Sequence, residues 1–347
     1  MKRQGALSGY RVLDLTDIKG MLCPRLLAEM GAAVIRIEKP GSQDRFYWEN
    51  LGKRTLALDI ERKPESFRRL VRTSDVLVES FAPGYLESLG LGYPQLEQLN
   101  PRLVMASVTG FGQSGPYRDY KSCDIVASAL GGQLYVCGEP ESPPLKPFGN
   151  QSYYLASLFG AIGVLLALWH RHSSGRGQHI DISLQECVTS ALDHVLVRYL
   201  YQGEVAKRRG SLHWNGAFDI FRCKDGYILL SLFYQWETLV EWLASEGMAE
   251  DLIDEKWLDR DYRLEHIEHV TEVLERWTKK HNVAELVEKG QLMRFPWAEV
   301  CSISGLLSSP QLEARHFWVE IEHPPTGKKM GKKYKFPAMR LIKGGVI

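Results

Sequence analysis

Two histidine pairs and a glycine-rich turn are the features whose spacing alone could indicate chemistry. His170 with His172, and His266 with His269, could each offer two imidazoles to a metal ion, but no cysteine or carboxylate stands at ligand spacing. We therefore interpret both pairs as solvated helix faces and predict no metal site. The sequence Gly-Arg-Gly-Gln at 175–178 could cradle an anion, and a plain helix-to-strand turn is an equally good explanation.

Familiar catalytic signatures are missing from the sequence. It contains no GxSxG, HExxH or GxxxxGK[ST] pattern, and no GxGxxG follows the first predicted strand. Lys+Arg total 43 and Asp+Glu total 42, so a net charge of +1 creates no global field for nucleic acid or an acidic membrane. The lysines at 328–333 lack the interleaved aromatic residues of a single-strand binder, and we interpret them as a solvated hairpin. An anionic ligand would need a local site.

Strands and helices alternate through the first 110 residues and would position such a site. The predicted strands are 10–16, 33–38, 55–59, 75–79 and 103–108, and the predicted helices are 24–30 and 64–73. This alternation predicts an α/β fold with a doubly wound parallel sheet. Ligands of such sheets bind beyond the carboxyl ends of the strands.

The alternation breaks at a turn-rich segment, 138–147, and a long helix then leads to a strand at 179–183. A hairpin at 218–231 and helices over 236–289 predict a second, smaller α+β domain. We predict a large domain over 1–200, the smaller domain over 201–315, and a return to the large domain over 316–347. The apolar window 155–169 is too short to span a bilayer and predicts a buried core helix.

The six cysteines are widely scattered and include no CxxC pair, which indicates reduced thiols rather than a disulfide framework or a zinc site. They are Cys23, Cys123, Cys137, Cys187, Cys223 and Cys301. The first residues show no apolar stretch of signal length. We therefore expect a cytoplasmic protein that binds neither membrane nor nucleic acid.

Eight short motifs occur in a fixed order along the chain. They lie at 12–16, 26–41, 52–59, 75–84, 99–104, 107–112, 163–168 and 175–183. In this order they resemble the class III CoA-transferases, the family of formyl-CoA and carnitine CoA-transferases. The resemblance implies a Rossmann-like domain that binds CoA, and two chains threaded through each other as an interlocked dimer. It also implies that CoA and acyl-CoA are substrates, with no permanently bound cofactor.

The same resemblance implies a set of CoA-binding residues. They are the backbone of Ile18, Lys19 and Gly20, a nucleotide contact at Lys39, adenine-side contacts at Leu58 and Phe81, and a phosphate contact at Lys121. Lysines and strand-end amides suit a polyanion such as CoA. Core packing is an equal explanation for the two apolar residues, and solvated charge is the alternative for the lysines. Two positions depart from the family pattern of CoA contacts, Glu61 and Ser88.

The family's nucleophile is an aspartate that precedes the long helix. Its carboxylate attacks the donor acyl-CoA to form a mixed anhydride, and the released CoA thiolate returns to give an aspartyl-CoA thioester, from which CoA passes to the acceptor acid. The matching position here is Ser152 or Tyr153, within a stretch, 149–154, that has no carboxylate. We therefore assign no catalytic residue to this chain.

Three hypotheses follow. The chain is a subunit whose homologous partner brings the aspartate, as in a benzylsuccinate CoA-transferase of aromatic degradation. Alternatively, it is a self-sufficient transferase, or an acyl-CoA racemase or isomerase, that uses another residue. As a third possibility, it is a CoA-binding structural or regulatory protein.

Overall fold

The chain divides into two compact units, and the computed structural model describes residues 5–41, 48–322 and 329–334. Of these, the large unit contains 5–138 and 143–207, and the second contains 139–142, 208–322 and 329–334. The division near 207 lies close to the predicted boundary at 200. Residues 316–322 and 329–334 group with the second unit instead of returning to the large one, and the last part of the predicted return lies outside the described residues.

The large unit is built on a six-stranded parallel sheet. Its strands are β1 Arg11–Leu15, β2 Ala33–Glu38, β3 Arg54–Ala57, β4 Val76–Glu79, β5 Val104–Thr109 and β6 His179–Ser183. They lie in the order β3-β2-β1-β4-β5-β6. This confirms the predicted doubly wound, Rossmann-like α/β fold.

Helices cover both faces of this sheet. They are α1 Leu22–Glu29, α2 Pro64–Val71, α3 Tyr85–Ser88, α4 Tyr93–Leu99, α5 Asp124–Leu130, α6 Gln133–Val136, α7 Gln151–Ser174, α8 Leu184–Ser190 and α9 His194–Gln202. Each face has its own apolar core, one with α1 and α7 and the other with α2 and α4. Because both faces are covered, the central strands are continuous apolar runs, which made them recognisable in the sequence.

Helix α7 has the length and hydropathy of a membrane span, with a mean hydropathy of 1.7 over a window that is 44% buried. One of its faces packs on the sheet as predicted for a core helix, with Ala156, Gly160 and Val164 buried. Gly160 lies against Ile182 and Cys23, where a larger side chain would collide. The opposite face is exposed and also apolar. It consists of Leu158, Phe159, Ile162, Leu166 and Trp169, which we call the outer face of α7.

The turn after α7 has a structural explanation. The Gly177 amide donates to the Pro101 carbonyl (2.8 Å), and a Cβ at this position would lie 1.8 Å from the Leu103 carbonyl oxygen. The close approach of two backbones therefore requires glycine at 177. Of the two explanations of segment 175–178, the structure supports the helix-to-strand turn.

The second unit has its own sheet and an aromatic core. Strands β7 Phe218–Arg222 and β8 Tyr227–Ser231 form the predicted hairpin, and β9 Ala298–Glu299 adds a short third strand that the sequence did not predict. Its helices are α10 Trp236–Ser245, α11 Arg260–Glu265, α12 Ile267–Thr278, α13 Val283–Leu292, α14 Ile303–Leu307 and α15 Pro310–Ala314. Strands β10 Trp318–Glu322 and β11 Lys329–Tyr334 pair as a separate antiparallel hairpin, so the described lysines of the 328–333 run lie on a strand.

At least one histidine of each pair has a hydrogen-bonding partner. The Tyr10 hydroxyl is hydrogen-bonded to His172 Nε2 (3.1 Å), and His269 Nε2 is 2.6 Å from the Asp251 carboxylate. Among the described residues, no group of three or more potential ligands is arranged to hold a metal ion.

Candidate functional site

The site begins where the sheet changes winding direction. β1 and β4 are neighbours, and the chain proceeds from them toward opposite edges of the sheet, which opens a crevice between their carboxyl ends. A short bridge closes the base of this crevice. The Asp17 amide donates to Ser80 Oγ (2.7 Å), and the Ser80 hydroxyl donates to Asp17 Oδ1 (2.8 Å).

The predicted backbone contacts Ile18, Lys19 and Gly20 form a tight turn at this crevice, between β1 and α1. The amides of Gly20 and Met21 both donate to the Asp17 carbonyl (3.1 and 3.0 Å). Gly20 is buried, and a Cβ there would press on Thr16 and Val108. Ile18 and Lys19 are partly buried. The turn therefore has a defined shape.

Lys39 lies beyond the end of β2 and is paired with a carboxylate. Its ammonium is 2.8 Å from Glu61 Oε1, and the Tyr85 hydroxyl donates to the same oxygen. The hydrogen bond with Glu61 raises the pKa of Lys39, while hydrogen bonds from Lys39 and Tyr85 lower the pKa of Glu61. Glu61 is one of the two positions that depart from the family's pattern. Its carboxylate offsets the charge of the lysine that the resemblance assigns to the nucleotide.

The other predicted residues are spread along the same edge of the sheet. Leu58 follows β3 and is 9% exposed within the apolar core, which favours its core-packing interpretation. Phe81 follows β4, is partly buried and packs on Tyr85 with 4.6 Å between ring centroids. Lys121 is exposed on the loop between β5 and α5. The edge thus brings Lys39, the turn at 18–20 and Phe81 onto adjacent strands, with Lys121 beyond them.

A buried polar cluster includes Ser152, one of the two positions that the resemblance matches to the family's nucleophile. Ser152, which is fully buried in the first turn of α7, donates from its hydroxyl (2.8 Å) and its amide (3.0 Å) to Asp124 Oδ1. Asp124 itself is 5% exposed at the start of α5. The ammonium of Lys146 lies 2.7 Å from Asp124 Oδ2. We call Asp124, Lys146 and Ser152 the α7 cluster.

Asp124 has a structural explanation in this cluster. Asn150, the residue preceding α7, makes no side-chain cap, and Asp124 supplies an anionic acceptor for the first turn of the helix instead. The neighbouring Tyr153 hydroxyl accepts from the Asp124 amide (3.0 Å), and burial raises the pKa of Tyr153. Asp17 also raises the pKa of this phenol, less than burial does.

Sequence reasoning did not identify Asp124 or Lys146. Asp124 is 28 residues from Ser152, and no pattern of spacing connects the two positions. The acidic residues nearest to Ser152 on its amino-terminal side in the sequence, Glu139 and Glu141, lie on a segment that groups with the second unit.

A further buried carboxyl group lies at the carboxyl end of β4. Glu79 ends β4, is 4% exposed and accepts from the Phe81 amide (2.7 Å). Burial raises the pKa of Glu79 to about 7, against hydrogen bonds from Ser107 and Phe81 that lower it. Ser107 Oγ is in turn 2.9 Å from His179 Nε2. Glu79 is therefore a carboxyl group that titrates near neutral pH beside the loop that carries Phe81.

Comparison with known proteins identifies relatives along the whole chain. The model of CoA-transferase family III matches residues 7–341. A succinyl-CoA:(R)-benzylsuccinate CoA-transferase subunit BbsE from Thauera aromatica is 34% identical over 340 residues, which cover 90% of this chain and 82% of the relative. The beta subunit of a succinyl-CoA–L-malate CoA-transferase from Chloroflexus aurantiacus is 35% identical over 349 residues, covering 93% and 85%.

A solved structure supports the same assignment. The structure of a CAIB/BAIF family protein from Brucella suis superposes with a TM-score of 0.83 at 28% identity, and the match covers 91% of this chain and 89% of that one. The carboxyl-edge crevice, the ordered motifs and this full-length similarity agree. The chain is therefore a member of CoA-transferase family III.

Proposed function

We propose that this chain is the non-nucleophilic subunit of a heteromeric CoA-transferase. A homologous partner carries the attacking aspartate, and the pair moves CoA from an acyl-CoA donor to a carboxylic acid. The observation that carries this proposal is the α7 cluster. Where the resemblance places a reactive carboxylate, this chain has Ser152. Its buried hydroxyl donates to Asp124, the carboxylate that pairs with Lys146.

Neither Ser152 nor Tyr153 can form an acyl anhydride, because that intermediate requires a carboxylate oxygen. Asp124 is a carboxylate, but Ser152 donates to its Oδ1, and its Oδ2 is buried in ion-pair contact with Lys146 without a hydrogen bond, so the side chain is only 6% exposed. A nucleophile must come within about 3–3.5 Å of the thioester carbonyl carbon. As it stands, Asp124 does not present an oxygen to such a substrate.

The relatives support a role as a subunit. The relative from Thauera aromatica is named a subunit, and the L-malate enzyme of Chloroflexus aurantiacus has relatives of this chain named as both its beta and its alpha subunit. We propose succinyl-CoA as the donor, since it appears in the names of these enzymes, and a dicarboxylic acid as the acceptor.

The outer face of α7 supports a partner chain. It presents five large apolar side chains, with Leu166 and Trp169 exposed by 57% and 75%. Contiguous exposed apolar surface of this kind is typical of an interface. A groove of about 410 Å³ adjoins it at the amino end of β6, away from the carboxyl-edge crevice, so it belongs to this surface and not to the candidate site. An interlocked dimer, as the family resemblance implies, would cover such a surface.

The test compares the chain alone with the chain co-expressed with each homologue from its own organism. Native mass measurement identifies heteromers, and succinyl-CoA with a panel that includes benzylsuccinate and L-malate measures transfer. We expect no turnover from the single chain, and turnover on the order of 1–1000 per second from one heteromer. Replacing the partner's aspartate by asparagine should abolish that turnover.

Two results would oppose the proposal. One is formation of homodimers only, in the presence of every homologue. The other is turnover by the single chain that disappears in Asp124→Asn, which would instead indicate a self-sufficient transferase.

A further inference from the structure

The turn at the crevice is held by charged groups from beneath. Asp14, fully buried in β1, accepts at Oδ1 from the amide and the hydroxyl of Thr16 (2.9 and 2.6 Å). Arg36 Nη1 donates to the Thr16 carbonyl (3.1 Å) and lies 3.5 Å from Asp14 Oδ2. These contacts fix the residue at which the chain leaves β1 and enters the turn.

Lys53 holds the other end of the same turn. Its side chain is 1% exposed, and its ammonium donates to the Met21 carbonyl (2.8 Å), to Asp14 Oδ2 (2.8 Å) and to Asn50 Oδ1 (2.9 Å). All three ammonium protons are therefore used. Through Met21 and Asp14, one side chain connects the exit of the turn to its entry.

Stability alone does not explain this arrangement. Burial lowers the pKa of Lys53, although Asp14 opposes the effect, so the charged lysine is held at a cost in desolvation. Replacing a buried ion pair with apolar groups of similar volume is often neutral or stabilising. What apolar side chains cannot supply is a hydrogen bond to the Met21 carbonyl, and this bond sets the position of residues 17–21.

We infer that Lys53 is a positioning residue that sets the backbone of the turn at 17–21 for the CoA thioester. This inference rests on the proposed function, because it takes the crevice to be the CoA site. Lys53 acts through the turn and contacts no substrate itself.

The experiment uses Lys53→Met and the double variant Asp14→Asn with Lys53→Met. The single variant leaves Asp14 with one cationic partner fewer. The double variant removes both charges and keeps an acceptor for Thr16, so it remains informative if the single variant does not fold. Arg171→Met is the matched control. Arg171 is 5% exposed and pairs with Asp75 (2.9 Å), just before β4 and so at the amino edge of the sheet, away from the turn.

Three quantities are measured for each variant: thermal unfolding, hydrogen exchange of the amides at 17–21 without ligand, and the CoA dissociation constant of the heteromer. We expect both Lys53 variants to exchange at least about tenfold faster at 17–21 and to bind CoA at least about tenfold more weakly, a change of about 1.4 kcal/mol. Arg171→Met should lose thermal stability while keeping both exchange and affinity.

The inference is overturned if the double variant keeps wild-type exchange at 17–21, or if Arg171→Met loses turn protection and CoA affinity to the same extent. If the wild-type heteromer binds no CoA, the proposed site is wrong, and exchange at 17–21 still decides whether Lys53 positions the turn.

Discussion

Introducing a carboxylate at Ser152, one of the two positions that the resemblance matches to the family's nucleophile, should destabilise this chain without making it active. In Ser152→Asp, the new carboxylate would lie where the Ser152 hydroxyl now donates to Asp124 Oδ1 over 2.8 Å. Two like charges about 4 Å apart repel by about 4 kcal/mol at an effective dielectric constant of 20. Because Lys146 lies 2.7 Å from the other Asp124 oxygen and offsets part of this repulsion, we expect a loss of about 2–4 kcal/mol at pH 8.

The pH dependence has a definite sign. Repulsion from Asp124 raises the pKa of the introduced carboxyl in the folded state above its value in the unfolded chain, about 3.9. A group with a raised pKa stabilises the fold fully below the unfolded value, and that contribution is lost as pH rises through the folded value. The stability of Ser152→Asp should therefore fall from pH 4 toward pH 8.

The assay is chemical unfolding of Ser152→Asp and its neutral control Ser152→Asn at several pH values. The two variants are similar in size and differ in charge, so the difference between their unfolding free energies isolates the repulsion. Equal unfolding free energies of the two variants from pH 5 to pH 8 would refute the electrostatic reasoning. Transferase activity of Ser152→Asp as a single chain would refute the argument that the α7 cluster closes this site.

Three further predictions concern Glu79, Glu61 and the outer face of α7. Since the pKa of Glu79 is raised to about 7, its protonated form stabilises the fold below about pH 4.5, and about 3 kcal/mol of that contribution is lost as pH rises through 7. Glu79→Gln should therefore remove this part of the pH dependence of unfolding, and an unchanged pH profile would contradict it. Glu61→Gln removes a negative charge beside Lys39, so CoA should bind about two- to fivefold more tightly at low salt and show little gain at 0.5 M salt, by calorimetry. Leu166→Glu, on the outer face of α7, should abolish the heteromer in native mass spectra, while Gln98→Glu, at an exposed position on α4 on the other face of the sheet, leaves it intact.

Local patterns in the sequence were sufficient to predict the strands of the sheet, but not always the residues at which each strand begins and ends. β2 was predicted at its observed bounds, because 33–38 is an apolar run between a glycine and a Lys-Pro-Gly stop. The third strand was predicted at 55–59 and is found at Arg54–Ala57. It ends early because Asp59 Oδ1 accepts from the amides of Glu61 and Arg62 (3.0 and 3.2 Å), which starts a turn that no alternation of residues reveals.

The positions of the candidate site's backbone segments could be predicted from the sequence, whereas the side-chain contacts made across the fold could not. The turn at 18–20 and the loop that carries Phe81 follow from the ends of two strands. Two side-chain contacts depend on the order of the strands in the sheet. Lys39 pairs with Glu61, 22 residues away in the sequence, and Lys53 pairs with Asp14, 39 residues away. The resemblance identified Glu61 as a departure from the family pattern, but only the structure shows that its carboxylate pairs with Lys39.

The α7 cluster and the buried contacts of Lys53 bear on different hypotheses among the three. A self-sufficient transferase that forms the family's anhydride at the start of α7 needs an accessible carboxylate there, and the carboxylate found there, Asp124, caps the helix and is ion-paired with Lys146. A CoA-binding structural or regulatory protein would use the same turn, which the buried ammonium of Lys53 holds through the Met21 carbonyl, but it would need no homologous partner that carries a nucleophile. A subunit that shapes a CoA crevice and leaves covalent chemistry to its partner accounts for both the α7 cluster and the contacts of Lys53, which is why we prefer the heteromer.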